Sequence, residues 1–124
     1  MLLLDTHVLL WALYDSSRLS SAAKNAIASS SCAVSIASLW ELSIKHSLGK
    51  LSLKQSVVEI ADTCAKHHIR LLGITPEHCQ RTETLPFIHR DPFDRLLIAQ
   101  ALEENLVLVS KDQYAPQYGV QSVW

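Results

Sequence analysis

The stretch LLLDTHVLLWALYD, Leu2 to Asp15, decides how the rest of the chain is read. Three leucines run without a polar break and stop at a carboxylate, Asp5. An apolar-rich segment follows at once. A short continuous apolar run is the pattern of a strand buried on both faces, and the longer segment after the acid reads as a helix ending near Asp15.

The same unit recurs downstream. LSSAAKNAIASS is an alanine-rich second helix with Ser20 or Ser21 as its cap. CAVSI (Cys32 to Ile36) is a second strand. SLWELSIKHSLGKL is a helix in which Ser38 and Glu41 have capping-box spacing and Gly49 suits the end. VVEIADTCAKHH is an amphipathic helix and IRLLGI (Ile69 to Ile74) a third strand. Thr75-Pro76-Glu77 starts a short helix, with threonine as cap and proline at the first helical position. HRDPFDRLLIAQAL, from His89, opens a helix that stops near Asn105. LVLVS (Leu106 to Ser110) is a fourth strand, and VQSV (Val120 to Val123) is a candidate fifth.

Apolar strands that alternate with helices indicate a mostly parallel sheet of about five strands covered on both faces, a three-layer α/β/α sandwich. A chain of 124 residues with 48% apolar content suits one domain over residues 1–124. With 3 glycines and no GxGxxG or P-loop pattern, a nucleotide fold of those kinds is not supported. The net charge of -1 offers no broad basic footprint, so any nucleic-acid contact is local or metal-assisted. Three cysteines without CxxC spacing argue against a disulfide framework or zinc cluster. They read as reduced thiols in or near the core of a cytoplasmic protein. No signal sequence is recognisable, and no apolar run approaches the ~20 residues of a membrane span.

In a parallel sheet, strand C-termini and the N-termini of many helices share one rim. Asp5 ends the first strand, and Glu41 opens the helix after the second. Asp91 and Asp94 open the helix that leads to the fourth strand, and Asp112 follows that strand. Five acids thus collect on one edge. Two unit charges 4 Å apart repel by about 4 kcal/mol at an effective dielectric near 20. Such a cluster must take up protons, salt-bridge to arginine or hold a cation. Oxygen donors suit Mg²⁺ or Mn²⁺ and disfavour zinc. A pair of such ions is the usual apparatus of phosphodiester hydrolysis.

The ordered set MLLLDTHVLLW, SIASLWELSIKHSLGKL, LPFIHRDPFDRLLIAQAL, LVLVSKD and GVQSVW resembles the PIN-domain ribonucleases, and most closely the VapC-like toxins of bacterial toxin–antitoxin pairs. The resemblance implies an acidic pocket built from Asp5, Glu41, Asp94 and Asp112. It implies one or two Mg²⁺ or Mn²⁺ ions and endonucleolytic cleavage of RNA. It also implies a homodimer and a small antitoxin protein that blocks the pocket. Ser110 stands where the family commonly has threonine, and the hydroxyl is kept.

Several residues carry a second reading. Asp5 could simply cap the helix after it, and Glu41 could be only the capping-box partner of Ser38. Asp91 reads as a cap, and Asp112 could be a turn residue. Ser110 either orients a carboxylate or is a plain strand-end hydroxyl. Arg90 and Arg95 either clamp an RNA phosphate or neutralise the acids. His89, next to the acids, either contacts phosphate or, the favoured reading, is a near-surface loop histidine, and Trp11, Trp40 and Trp124 read as core. The alternatives to a ribonuclease are a metal-dependent nuclease acting on DNA, a phosphatase-like hydrolase, and a catalytically silent binding module whose pocket accepts a partner's arginine.

Overall fold

The computed structural model describes all residues from Met1 to Trp124. β1 (Leu2–Leu4) and β2 (Cys32–Ser35) are buried throughout, as continuous apolar runs require. β3 (Arg70–Leu72), β4 (Val107–Val109) and β5 (Ser122–Val123) complete one sheet of order β3-β2-β1-β4-β5, parallel at every pairing. The strands are shorter than the apolar runs suggest, because flanking residues turn into loops and helix caps.

The pleat sorts the sheet's side chains to two sides. Leu2, Leu4, Cys32, Val34 and Val109 join one core cluster, whereas Leu3, Ala33 and Leu108 join the other. The first cluster is closed by α1 (Thr6–Tyr14), α2 (Ser21–Ser29), α3 (Ile36–Ser47) and α4 (Val57–Lys66). The second is closed chiefly by α6 (Pro92–Glu104), against which α5 (Pro76–Glu83) packs. Helices on both faces make the expected α/β/α sandwich. All three cysteines are free thiols; Cys32 and Cys64 are buried as read, whereas Cys79 is exposed on α5, outside the core expected for it. No helix is long and apolar enough to cross a membrane.

Most helix starts follow their sequence signals. Ser20 caps α2, accepting from the Ala23 N–H at 3.1 Å. Thr75 and Pro76 open α5 as read, with the ring of His78 closing the box back onto the Thr75 N–H at 3.0 Å. Gly49 takes a positive φ of 70° just past α3, the left-handed stop that glycine adopts without strain. α6 ends on Asn105, also left-handed at φ 53°.

The Ser38–Glu41 capping box is a correction. α3 begins at Ile36, and Ser35 is its cap, accepting from the Ala37 N–H at 3.0 Å. Ser38 and Glu41 therefore lie within the helix, buried, and their side chains face Thr6. A serine three residues before a glutamate cannot say on its own which serine starts the helix. The S-x-x-E box that forms is Ser56–Glu59, at the start of α4. A second correction concerns tryptophan: Trp40 is 61% exposed, with its ring set edge-on against Phe93, and Trp124 is exposed as well, tilted against Trp11.

Candidate active site

From β1 the chain continues through β2 and β3 to one edge of the sheet. It then returns to place β4 on the other side of β1. α1 leaves β1 toward one face. The 3₁₀ turn Ala115–Tyr118 leaves β4 toward the other, where Ala115 and Tyr118 pack. Connections that part in this way open a crevice at the strand C-termini. A cleft of about 510 Å³ occupies it, lined by Asp5, Thr6, His7, Trp11, Glu41, Lys45, Asp91, Asp94, Lys111 and Asp112. All five acids placed on this rim from the sequence line it.

Each acid is positioned by backbone it also serves. Asp5 caps α1, its Oδ1 accepting from the Val8 N–H at 2.9 Å. Its Oδ2 accepts from the Ser110 hydroxyl at 2.5 Å, and that hydroxyl accepts from the Asp112 N–H at 3.0 Å. Ser110 thus ties the end of β1 to the loop after β4. Burial pushes the Asp5 carboxyl up from its ordinary value, against the hydrogen bonds from Ser110 and Val8. Asp91 is the cap of α6, its Oδ1 accepting from the N–H groups of Phe93 and Asp94. Asp94 follows at the third helical position. Burial first, and then the charge of Asp91, push its carboxyl up to about 6. Of the two aspartates around one proline, Asp91 holds the helix start, and both line the cleft.

Glu41 is 4% exposed. Its Oε1 accepts from the Thr6 hydroxyl at 2.7 Å, and its Oε2 lies 2.7 Å from Lys45 Nζ, one helical turn on. His89 has a role its sequence position did not announce. Its Nδ1 accepts from the Asp91 N–H at 3.2 Å, which leaves the proton of a neutral ring on Nε2. That Nε2 is shielded from solvent, 2.9 Å from Asp94 Oδ2 and 3.6 Å from Asp112 Oδ2, without a well-directed hydrogen bond to either. The Tyr114 ring packs against the imidazole at a centroid separation of 4.1 Å.

Neither arginine neutralises the acids of the cleft. Arg95 turns away from the acids and donates to the carbonyls of Pro86 and Thr82 at 2.8 and 3.0 Å, over the Phe87 ring. Arg90 is exposed, with no ion pair. The cations at the cleft are Lys45 and Lys111. Lys45 had a legible signal, the i,i+4 spacing from Glu41. His89 had its place beside the acids in HRDPFD, whereas Thr6 and His7 had no signal of their own, because the turn of α1 brings them in.

The donor set fits a divalent cation. Five carboxylates face the cleft against two lysines. Burial, and next the charge of Asp91, hold the Asp94 carboxyl up to about 6, so a cation there would relieve a crowded anionic site. Ligand atoms of His89, Asp94 and Asp112 already lie within 4.8 Å of one another. Carboxylate oxygens at that density suit a hard cation.

Comparison with known proteins gives the chain a family and the fold known neighbours. The PIN domain family model matches residues 2–120. Ribonuclease VapC22 of Mycobacterium tuberculosis (strain ATCC 25618 / H37Rv) is 36% identical over 113 residues, 90% of this chain and 86% of that protein. VapBC2 from Rickettsia felis, solved bound to a DNA fragment from its promoter, has a similar chain at TM-score 0.67 and 17% identity, over 98% of this chain and 96% of that one. FitAcB from Neisseria gonorrhoeae matches at TM-score 0.66 and 15% identity, over 98% and 96% of the two chains. At these identities the structural matches establish the fold.

Proposed function

Because the chain belongs to the PIN-domain family, we propose that it is a single-domain, metal-dependent endoribonuclease, the toxin of a bacterial toxin–antitoxin pair. Its substrate is RNA. Its inhibitor is a small antitoxin protein that covers the acidic cleft, and it works as a cytoplasmic homodimer. The observation that carries this reading is the convergence of Asp5, Glu41, Asp94 and Asp112 on one open cleft at the point where strand order reverses. A reducing compartment suits three free thiols.

Asp5, Glu41, Asp94 and Asp112 would hold one or two Mg²⁺ or Mn²⁺ ions. A bound divalent ion polarises the phosphate and activates water for in-line hydrolysis. The chain's own part is positioning. Val8 and Ser110 fix both oxygens of Asp5, and Ser110 couples that carboxylate to the backbone of Asp112. Asp91 holds the start of α6 so that Asp94 is presented from a rigid element. His89 holds its Nε2 2.9 Å from Asp94 Oδ2 and 3.6 Å from Asp112 Oδ2, close to both carboxylates although neither takes a directed hydrogen bond from it.

The deciding experiment is cleavage of total RNA by purified, partner-free protein with Mn²⁺ or Mg²⁺, with EDTA, and with Asp94→Asn, beside DNA and small phosphoesters. Discrete RNA fragments that need metal and vanish in the variant support the reading. Turnover of DNA or small esters alone reassigns the substrate. A folded protein that binds metal without turnover of any of these is a silent binding module.

A further inference from the structure

A nuclease with an acidic cleft needs a positive group to receive the substrate's phosphates, and the arginines beside the acids do not supply it here. Arg95 is committed to the carbonyls of Pro86 and Thr82, and Arg90 does not line the cleft. Lys45 does line it.

Three observations set Lys45 apart. Its anchor is rigid: Glu41 is 4% exposed and is itself held by the Thr6 hydroxyl at 2.7 Å. Its ammonium lies 2.7 Å from Glu41 Oε2 and has that one ion-pair partner. An ammonium carries three donors, so two remain free. Its side chain is 36% exposed against 6% for Glu41, so the anion is the buried partner and the cation faces the opening. The charges of Asp91 and Asp94 reach it as well as that of Glu41. Lys111, the other cation at the cleft, is exposed on the loop after β4 and has no ion-pair partner to hold it in place.

We infer that Lys45, steadied by Thr6 and Glu41 at the wall of the cleft, is a substrate-binding residue that takes a backbone phosphate of the bound RNA. The inference rests on the ribonuclease reading and gives the cleft the cation that reading lacks. A lysine is a point charge for phosphate and reads no base, so it serves register and affinity. The competing role is that of an internal counter-ion for Glu41, with no contact to substrate.

The test is steady-state cleavage of a short single-stranded oligoribonucleotide with Mn²⁺ over a range of salt concentrations. It compares the wild type, Lys45→Met and Lys45→Arg. Mn²⁺ affinity of each is measured by calorimetry, and folding by circular dichroism. The expected result for Lys45→Met is a KM raised about tenfold and a slope of log(kcat/KM) against log salt that is shallower by about 0.7, the share of one single-strand phosphate. Lys45→Arg should restore both, since charge at that site is what the phosphate requires. An unchanged KM and salt slope in a folded Lys45→Met protein would overturn the inference. So would a change confined to Mn²⁺ affinity, which marks a counter-ion, or a loss that Lys45→Arg does not repair. A wild type that cleaves no RNA at all would instead overturn the ribonuclease reading.

Discussion

Replacing Asp94 with asparagine should make the metal-free protein more stable while abolishing its activity. In the fold the Asp94 carboxyl is raised from 3.8 to about 6, first by burial and next by the charge of Asp91. A raised carboxyl opposes folding when ionised. Between pH 3.8 and 6 the folded state binds more protons than the unfolded one, so stability falls as pH rises through that window and stays low above it. The gap between 3.8 and about 6 corresponds to about 3 kcal/mol at ~1.4 kcal/mol per pH unit. The side chain is 36% exposed, so solvent screening cuts this to roughly half. The start of α6 favours a negative charge there by some tenths of a kcal/mol, which leaves about 1 kcal/mol. For a chain of this size that is a Tm higher by about 4 °C. Thermal melts of both proteins in EDTA at pH 7.5 should show it, and near pH 4 the gain should disappear. Adding millimolar Mn²⁺ should then raise the wild-type Tm and leave the variant's almost unmoved, because only the native carboxylate set binds the ion. A variant less stable than wild type in EDTA at pH 7.5 would refute the charge balance assigned to the cleft. Equal stabilisation of both by Mn²⁺ would remove Asp94 from the ligand set.

Other expectations test the scaffold of the site. Ser110→Ala should lower stability by about 1–2 kcal/mol in urea melts, by stranding the Asp112 N–H and freeing one oxygen of Asp5. It should weaken Mn²⁺ binding in calorimetry by about tenfold or more, whereas Ser110→Thr should do neither. Arg95→Met should release the segment that carries His89. A loss of about 1–3 kcal/mol is expected, with faster amide hydrogen exchange over residues 85–90. Leu3→Ala should cost roughly 3–5 kcal/mol in chemical denaturation, since Leu3 is fully buried in the central strand against the α6 side of the core.

The α/β/α architecture was legible because a strand buried on both faces has no polar positions to hide. LLL and LVLV could be little else in a chain with so few glycines, and alternation with helical segments forces crossovers and so a parallel sheet. The rim of acids followed from that alone. Asp5, Asp91, Asp94 and Asp112 each stand at the end of a strand or the start of a helix, where sequence punctuation is strongest. The start of α3 was not legible, since Ser35 and Ser38 are both plausible caps and only packing against Thr6 draws Ser38 inside. Helix phase had the same difficulty with Trp40, whose neighbours Leu39 and Glu41 are buried while its own ring stands in solvent.

What local sequence determined, then, is everything set by propensity, capping and apolar runs: the elements, their order, and the edge to which the carboxylates belong. The capping role of Asp91 belongs with them. Tertiary structure alone decided that Ser110 would join Asp5 to the loop after β4. It also turned Arg95 into a loop brace and set His89 behind Asp94. Those outcomes depend on contacts between residues far apart in the chain, such as Ser110 with Asp5, 105 positions away. A long side chain goes to whichever partner the fold brings within about 3 Å, and no local pattern records that choice.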